Sequence, residues 1–599
     1  MKRAIALLLA ILLLALFVLP LAAATPQSDV IAEVVAAVRG SVGVDTPGAA
    51  LLLFENGERV MYEGYGYANV ATRELVTVES SFELGEISSL FVCLAVARLV
   101  QDGKVEMDRD IAYYLPGDFH KKLDLNYNVT LENLLAGRAG FAERLSDLGY
   151  ASAELRFDSL QEALLADVPE QLGVPNTYTV YSPFGIALAA YVVECVAKMP
   201  YEAYVEEVLL RPLGMTGTVL VPLGEEKNMT SGHRAMQSGS FAPALDGGRR
   251  YSALYPADGA VSNVADLSVL FSFLLSDTAG EEVLSFALRE FVMDRKYQNG
   301  IFEVGIFGLR ASANARGCVG NTAYFSAALA FDRTQGRLAL VLANVESSAL
   351  LALPASICGL DSGVPMEPQQ QLPAPEGFVG EYMPFETIAD RLRARHKESV
   401  FVTVESGVLL LGDQALVQIA PGVFSASEGE RNVAVAQFVM SVEGEVLYLL
   451  TSSGEVLRPA SFFEDALVKG ILFVLLMLGI VYFLIGAVLY VYDAVRARIE
   501  EREYPRPWRF VWPWVLSALL AVNVLLRVIL SANEGGVFAS FFTANAIISL
   551  GFALAALGSF LFAMFTSFGE RGRGARAARS AAFCLVFVLL CAFWCAFSF

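Results

Sequence analysis

The sequence predicts an α/β domain built on one antiparallel sheet flanked by helices, then a small all-β domain, then a four-helix transmembrane region. Three observations carry that reading. An apolar hairpin turns on Asn56-Gly57 near the start, and a second apolar hairpin lies at 328–331 and 337–344, with helical segments between the two. A stretch rich in Pro and Gln then gives way to short strands separated by turns. Last come four apolar runs of bilayer length, with arginine-rich loops among them.

Residues 1–24 begin with Lys2 and Arg3, continue through an apolar run from 4 to 21 and finish on Ala22-Ala23-Ala24. Positive, apolar and small residues in that order predict a signal peptide cleaved after Ala24. Residues 25–364 form the first exported domain. Its expected helices lie at 30–42, 87–101, 131–135, 184–197, 201–210 and 265–275, and strands 49–54 and 59–66 flank the Asn-Gly turn. A hairpin early, helices in the middle and strands late predict one sheet assembled from both ends of the domain. Residues 365–376 read as a linker. Within 377–465, strands are expected at 400–404, 408–411, 416–419, 433–440 and 446–451.

The region 466–599 holds apolar runs at 470–492, 510–530, 537–565 and 581–599. The loop 493–509 carries Arg496, Arg498, Arg502, Arg506 and Arg509, and the loop 569–579 carries Arg571, Arg573, Arg576 and Arg579, whereas 531–536 has neither Lys nor Arg. The positive-inside rule puts both basic loops in the cytoplasm. The expected location is therefore the cell membrane, multi-pass, with 25–465 outside the cytoplasm. Arg527, near the outer end of its span, gives no sign of an ion path.

Net charge is −20 although the inner loops are basic, so the exported part is distinctly acidic, which excludes nucleic acid as a partner. The exported cysteines, Cys93, Cys195, Cys318 and Cys358, lack the close spacing of a disulfide framework or zinc site. Neither metal nor cofactor is expected, because the three histidines are not spaced for ligation.

A series of landmarks resembles the serine β-lactamase and penicillin-binding-protein superfamily, in its class C β-lactamase, esterase and carboxypeptidase branch. Pro47-Gly48 with the Asn56-Gly57 hairpin and Gly64-Tyr65-Gly66 is similar to the family's opening hairpin. Phe82-Glu83-Leu84-Gly85 before a helix resembles the nucleophile segment. Gly103 to Asp110, Tyr114-Leu115-Pro116, Thr130 to Leu135, Tyr181-Ser182, Arg211-Pro212-Leu213-Gly214-Met215, Asp258-Gly259 through Asp266 and 341–344 follow in family order. The resemblance implies a β-lactamase/transpeptidase-like fold, an antiparallel sheet flanked by helices with a helical subdomain, and the β domain resembles an appendage common beside such hydrolases.

The resemblance also implies a serine at a helix start and a lysine three residues later, a spacing that puts both on one helix face. Here Glu86 takes the nucleophile position and Ser89 the lysine position, and no lysine in the chain has a serine three residues before it. The tyrosine motif keeps Tyr181 but has Pro183 where the family has an asparagine, and proline offers no amide donor. The third motif, on the strand lining the site, keeps Gly320 but has Cys318 in place of the cation. The helical His-Thr-Ser-Gly landmark has become Gly137-Arg138-Ala139-Gly140.

Each position has a structural reading and a chemical one. Glu86 at a helix start caps the helix dipole, or acts as carboxylate nucleophile or base with Tyr181, although no second acid or histidine is evident beside it. Cys318 is a buried strand residue, or a thiolate if a base attends it. The expected function is a membrane-anchored family member lacking the acylating pair, a pseudoenzyme that binds a cell-wall peptide, a small-molecule ligand or a protein partner. The alternatives are an active hydrolase remodelled around Glu86, Tyr181 and Cys318, and an outer sensor domain for a functional membrane bundle.

Overall fold

The computed structural model describes residues 27–460, apart from 142–148, 151–156, 245–250, 385–398, 427–432 and some single or paired positions, together with scattered helical positions from 471 to 500. The expected signal peptide and the expected spans 510–530, 537–565 and 581–599 lie outside the described residues, and 470–492 is described only in part. Among the described residues no single helix is long and apolar enough to cross a membrane. At described helical positions beyond 470, Ile471, Val474, Leu478, Val481, Ile485 and Val488 are each more than half exposed.

The first domain is a sheet between two layers of helix. Strands β1 (Gly48–Glu55) and β2 (Glu58–Asn69) form the opening hairpin. Asn56 and Gly57 both have positive φ, as a tight two-residue hairpin turn requires. After β3 (Glu74–Leu75) the sheet resumes some 220 residues later in β4 (Tyr297–Asn299), β5 (Phe302–Val304), β6 (Arg310–Ala311), β7 (Ala315–Asn321), β8 (Ser326–Asp332) and β9 (Arg337–Ala343). The spatial order is β4-β5-β6-β7-β8-β9-β1-β2-β3. The register Ala50↔Leu342 and Leu52↔Leu340 joins the two ends of the domain, as the paired hairpins predict.

Every residue of β1 is buried, and the pleat divides them between two cores. Ala49, Leu51 and Leu53 meet Val34 and Val38 of helix α1 (Gln27–Ser41). Ala50, Leu52 and Phe54 join the larger core, built around α2 (Ser89–Gln101), α3 (Leu131–Leu135), α4 (Pro183–Ala197) and α5 (Val264–Leu275). α2 is enclosed on nearly all sides, with Ser89 through Ala97 and Leu99 all buried. Burial of a side chain such as Phe91 or Leu94 stabilises by roughly 1.5–3 kcal/mol. The sequence pattern places a helix over 87–101; in the structure Gly85–Ser88 is a separate 3-10 turn and α2 begins at Ser89.

The second domain is a closed eight-stranded barrel: β10 (Gly380–Pro384), β11 (Val400–Glu405), β12 (Val408–Leu411), β13 (Gln414–Ala420), β14 (Val423–Ala426), β15 (Val433–Met440), β16 (Val446–Thr451) and β17 (Val456–Pro459). Sequential pairing from β10 to β17 closes where Tyr382 of β10 meets Pro459 of β17. An interlocking set of rings, Phe378, Tyr382, Phe424 and Phe438, fills the interior, as suits a barrel of this strand number. Strands β10, β14 and β17 were not expected from the sequence. Each is short and holds or borders Gly, Pro or Ser, and closure supplies the pairing that local propensity lacks. The expected linker lies along the barrel: Pro365 pairs with Val433, and Gln369 N–H donates to the Ile419 carbonyl at 2.8 Å.

One glycine of the opening hairpin tests how tightly the first layer is built. Gly66 has φ +72, and a Cβ there would strike the Pro47 carbonyl and stand 2.8 Å from Val42 Cγ1 and 3.1 Å from Gly48 Cα. Gly66→Ala is expected to cost on the order of 2–4 kcal/mol through strain and overpacking. Gly40→Ala, on α1 with nothing within 4 Å, is expected to stabilise by about 0.5–1 kcal/mol. Urea denaturation of both variants decides this, and effects of equal sign and size would refute the crowding.

Candidate functional site

The pocket is assembled where the turn before α2 crosses the end of β7. Gly85 has φ +55, and a Cβ there would stand 2.5 Å from Asn321 N and 2.7 Å from the Gly320 carbonyl carbon. A Cβ on Gly320 would in turn strike the Leu84 carbonyl and lie 3.0 Å from Glu86 N. Two backbones therefore touch with no side chain between them, which needs glycine on both sides. This crossing brings Glu86 to the strand end, where Asn321 N–H donates to Glu86 Oε2 at 2.6 Å. This hydrogen bond of Glu86 runs across to β7.

One helical turn on, Ser89 is fully buried and lies 2.7 Å from the Tyr181 hydroxyl. Ser89 Oγ also donates to the Ala257 carbonyl at 3.1 Å, which Tyr181 Oη approaches at 3.1 Å too. Ser88 Oγ accepts from Ala260 N–H at 3.0 Å and ties the turn to the same segment. A hydroxyl held by a neutral phenol and a carbonyl oxygen meets no base. Burial raises the Tyr181 pKa well above its ordinary value, and the charge of Glu86 raises it further.

Pro183 and Gly320 serve the backbone. Pro183 opens α4 at a position where the missing N–H costs nothing, and Ser182 Oγ caps the helix by accepting from Gly185 N–H at 3.1 Å. The Gly137-Arg138-Ala139-Gly140 segment is a clamp: Gly137 has φ +65, and a Cβ there would stand 2.5 Å from the Val180 carbonyl oxygen. Arg138 Nη1 donates to the Gln298 carbonyl at 2.9 Å and to Thr179 Oγ1 at 3.2 Å, and Nη2 donates to the Asn176 carbonyl. A guanidinium spread over several fixed acceptors offsets the cost of burying it.

Cys318 is buried on β7, and burial first, then the charge of Glu86, raises its thiol pKa to about 12. It is therefore a thiol at neutral pH, which answers the thiolate reading. The structure corrects one expectation outright, since a second acid does stand within electrostatic reach of Glu86. Asp258, at the end of the short helix Tyr255–Asp258, is raised to about 7 by burial first and by the charge of Glu86, against a hydrogen bond from Ser252. Asp258 Oδ1 has no hydrogen-bond partner among the described residues. Arg310 on β6 is a second group missed from the sequence. Its register partner is Gly317, beside Cys318, and its charge lowers the Cys318 pKa in opposition to burial. Local pattern marked Asp258 only as a landmark and gave no signal for Arg310, because a sheet neighbour is what brings it to the site. Among the described residues no group of acids, histidines and cysteines is arranged to hold a metal.

The sequence profile described as Beta-lactamase matches residues 34–354, more than half of the chain and all of the pocket. The chain belongs to the beta-lactamase family. Protein flp of Staphylococcus aureus (strain MRSA252) is 27% identical over 196 residues, 32% of this chain and 37% of that protein. PbpX of Bacillus subtilis (strain 168), named as a penicillin-binding protein, is 26% identical over 165 residues, 28% of this chain and 39% of that protein. The matched part thus spans little more than a third of these curated relatives. Among solved structures, SurE aligns with 72% of this chain and 99% of its own at TM-score 0.53 and 22% identity, a likeness of fold.

Asp258 makes the site's electrostatics measurable. Its folded-state pKa is raised, so between about pH 4 and 7 the folded protein holds a proton that the unfolded chain releases. That contribution is fully present below the ordinary aspartate range and is lost as pH rises through 7. Asp258→Asn, neutral at every pH, is expected to be more stable than the natural protein at pH 8, with its advantage shrinking by on the order of 2 kcal/mol by pH 5.5. Denaturation curves at the two pH values give the answer, and a difference independent of pH would show that Asp258 is ionised throughout.

Proposed function

We propose that this chain is a non-acylating member of the beta-lactamase family, a pseudoenzyme anchored in the cell membrane with its pocket outside, which binds a cell-wall-derived ligand or a protein partner. One observation carries the reading: Glu86 takes the nucleophile's place and already fills the Asn321 N–H with its carboxylate. Acyl transfer needs a nucleophile whose proton is taken by a base and free donors aimed at the oxygen that becomes negative. Here the residue one helical turn on is Ser89, hydrogen-bonded to a phenol and a carbonyl, and the amide at the strand end is already taken up by the Glu86 carboxyl group.

Support for the membrane anchor comes from the bilayer-length apolar runs after residue 469, their arginine-rich loops, and the exposed apolar side chains from Ile471 to Val488. An acidic exterior part fits a ligand that is not polyanionic. A second reading, acid–base chemistry by a carboxylate pair, is favoured by the nearness in charge of Asp258 to Glu86, since paired acids held at different pKa values are a common proton-transfer device.

Intact-mass spectrometry of the solubilised full-length protein separates these readings. After incubation with benzylpenicillin or a fluorophosphonate, no adduct is expected on the natural protein, and a Glu86→Ser, Ser89→Lys double variant run alongside reports whether the rest of the pocket still supports acylation. A stoichiometric adduct on the natural protein would overturn the non-acylating reading and mark its nucleophile. Hydrolysis of a peptide or ester substrate that is abolished in both Glu86→Gln and Asp258→Asn would establish the carboxylate reading instead. For the anchor, the protein is expected to stay in the membrane pellet after alkaline carbonate washing, and its release into the supernatant would refute the spans.

A further inference from the structure

The barrel reaches the pocket. The β4–β5 hairpin turns on Gly300, whose φ is +64, and a Cβ there would strike the Gln437 amide oxygen of β15 and the Leu450 methyl of β16. Ile301 N–H donates to Gln437 Oε1 at 2.8 Å, so the tip is seated on the barrel wall. Around it Tyr178, Val180 and Phe302 of the first domain share one apolar cluster with Leu450 and Val456 of the barrel. The Tyr178 and Tyr448 rings lie 6.0 Å apart.

The same segment continues inward. Tyr178 and Val180 face the barrel cluster, whereas Thr179 and Tyr181 face the body of the domain. Thr179 N–H donates to Asn299 Oδ1 at 3.1 Å, one residue from the seated tip, and Val180 N–H donates to the Gly137 carbonyl at 2.8 Å. Tyr181 follows, and its hydroxyl holds Ser89 at 2.7 Å. Arg310 Cγ also lies near the barrel, 3.9 Å from the place a Cβ would take on Gly454 in the turn between β16 and β17. The segment before Tyr181 and strand β6 thus both lie beside adjoining barrel strands.

We infer that the barrel is a working support of the site: its grip on residues 299–301 and 178–180 sets the position of Tyr181, so displacement of the barrel loosens the packing around Tyr181, Ser89 and Cys318 and admits water there. The shared segment is four residues long and packed on both faces, and packed cores shift between discrete arrangements more readily than they stretch. The barrel also precedes the membrane-proximal helical positions, since β17 ends at Pro459 and helix resumes by Ile471. This inference is independent of whether the pocket binds or reacts.

Cys318 is a built-in reporter, because burial keeps its thiol protonated and slow to alkylate until water enters. Cys358 is the internal control: it is buried on the opposite face of the sheet, with its thiol donating to the Ala330 carbonyl at 3.2 Å. Full-length solubilised protein is treated with iodoacetamide, and labelling at each cysteine is followed by peptide mass spectrometry. Gln437→Ala removes the hydrogen bond, Tyr448→Ala the ring contact, and Gly300→Ala forces the surfaces apart. In each, Cys318 is expected to label about tenfold faster or more, with Cys358 unchanged, as local opening requires. Unchanged Cys318 rates in all three variants would overturn the inference. So would equal acceleration of Cys318 and Cys358, which is the signature of general loosening; should Gly300→Ala fail to fold, the two alanine variants in the barrel decide alone.

Discussion

The pocket depends on a place where two backbones touch. Gly85 and Gly320 lie against one another across the turn and the strand, and neither leaves room for a methyl group. The contact is braced from below, because Leu84 N–H donates to the Ala260 carbonyl at 2.9 Å and Phe82 pairs with Ser262. Through it the start of the buried helix, the end of strand β7 and the segment carrying Asp258 become one rigid unit. Glu86 has little choice of surroundings once the crossing forms: its carboxylate is delivered to Asn321 N–H as any side chain at that position would be.

Other residues around the crossing serve the frame of the site. Arg138 ties Asn176, Thr179 and Gln298 together through its guanidinium. Pro183 gives α4 a preformed first turn. Both add hydrogen bonds or fixed dihedrals to the segments that hold Tyr181. Asp258 runs the other way. A buried acid with one oxygen lacking a partner among the described residues is a cost above neutral pH, and its protonation changes near pH 7.

How much of this the sequence discloses follows from the range of the forces involved. The paired hairpins are legible because their apolar period and their Asn-Gly turn are local, and β1 reads as a continuous apolar run because each face has its own core. The start of α2 is misread by two residues since Gly85 takes positive φ to meet Gly320, a partner more than two hundred positions away. Three barrel strands escape notice because closure, and not propensity, holds them. Within the pocket, Glu86, Ser89, Tyr181 and Cys318 are found by their order along the chain. Asp258 and Arg310 are not, because burial and sheet neighbours, which no local pattern encodes, give them their part.

The electrostatics of the crossing bear on what such a pocket can stabilise. An amide that has already accepted a carboxylate as its partner is no longer a donor for a second negative charge. Any oxygen that became anionic at the strand end would meet the Glu86 carboxyl group within one hydrogen bond, at an edge where Asn321 is exposed to solvent and Cys318 lies buried behind it. Repulsion between two such charges, weakened by that exposure, works against what one further donor returns. A hydroxyl at position 86 would relieve that repulsion, yet Ser89, held between the Tyr181 hydroxyl and the Ala257 carbonyl, would offer it no base.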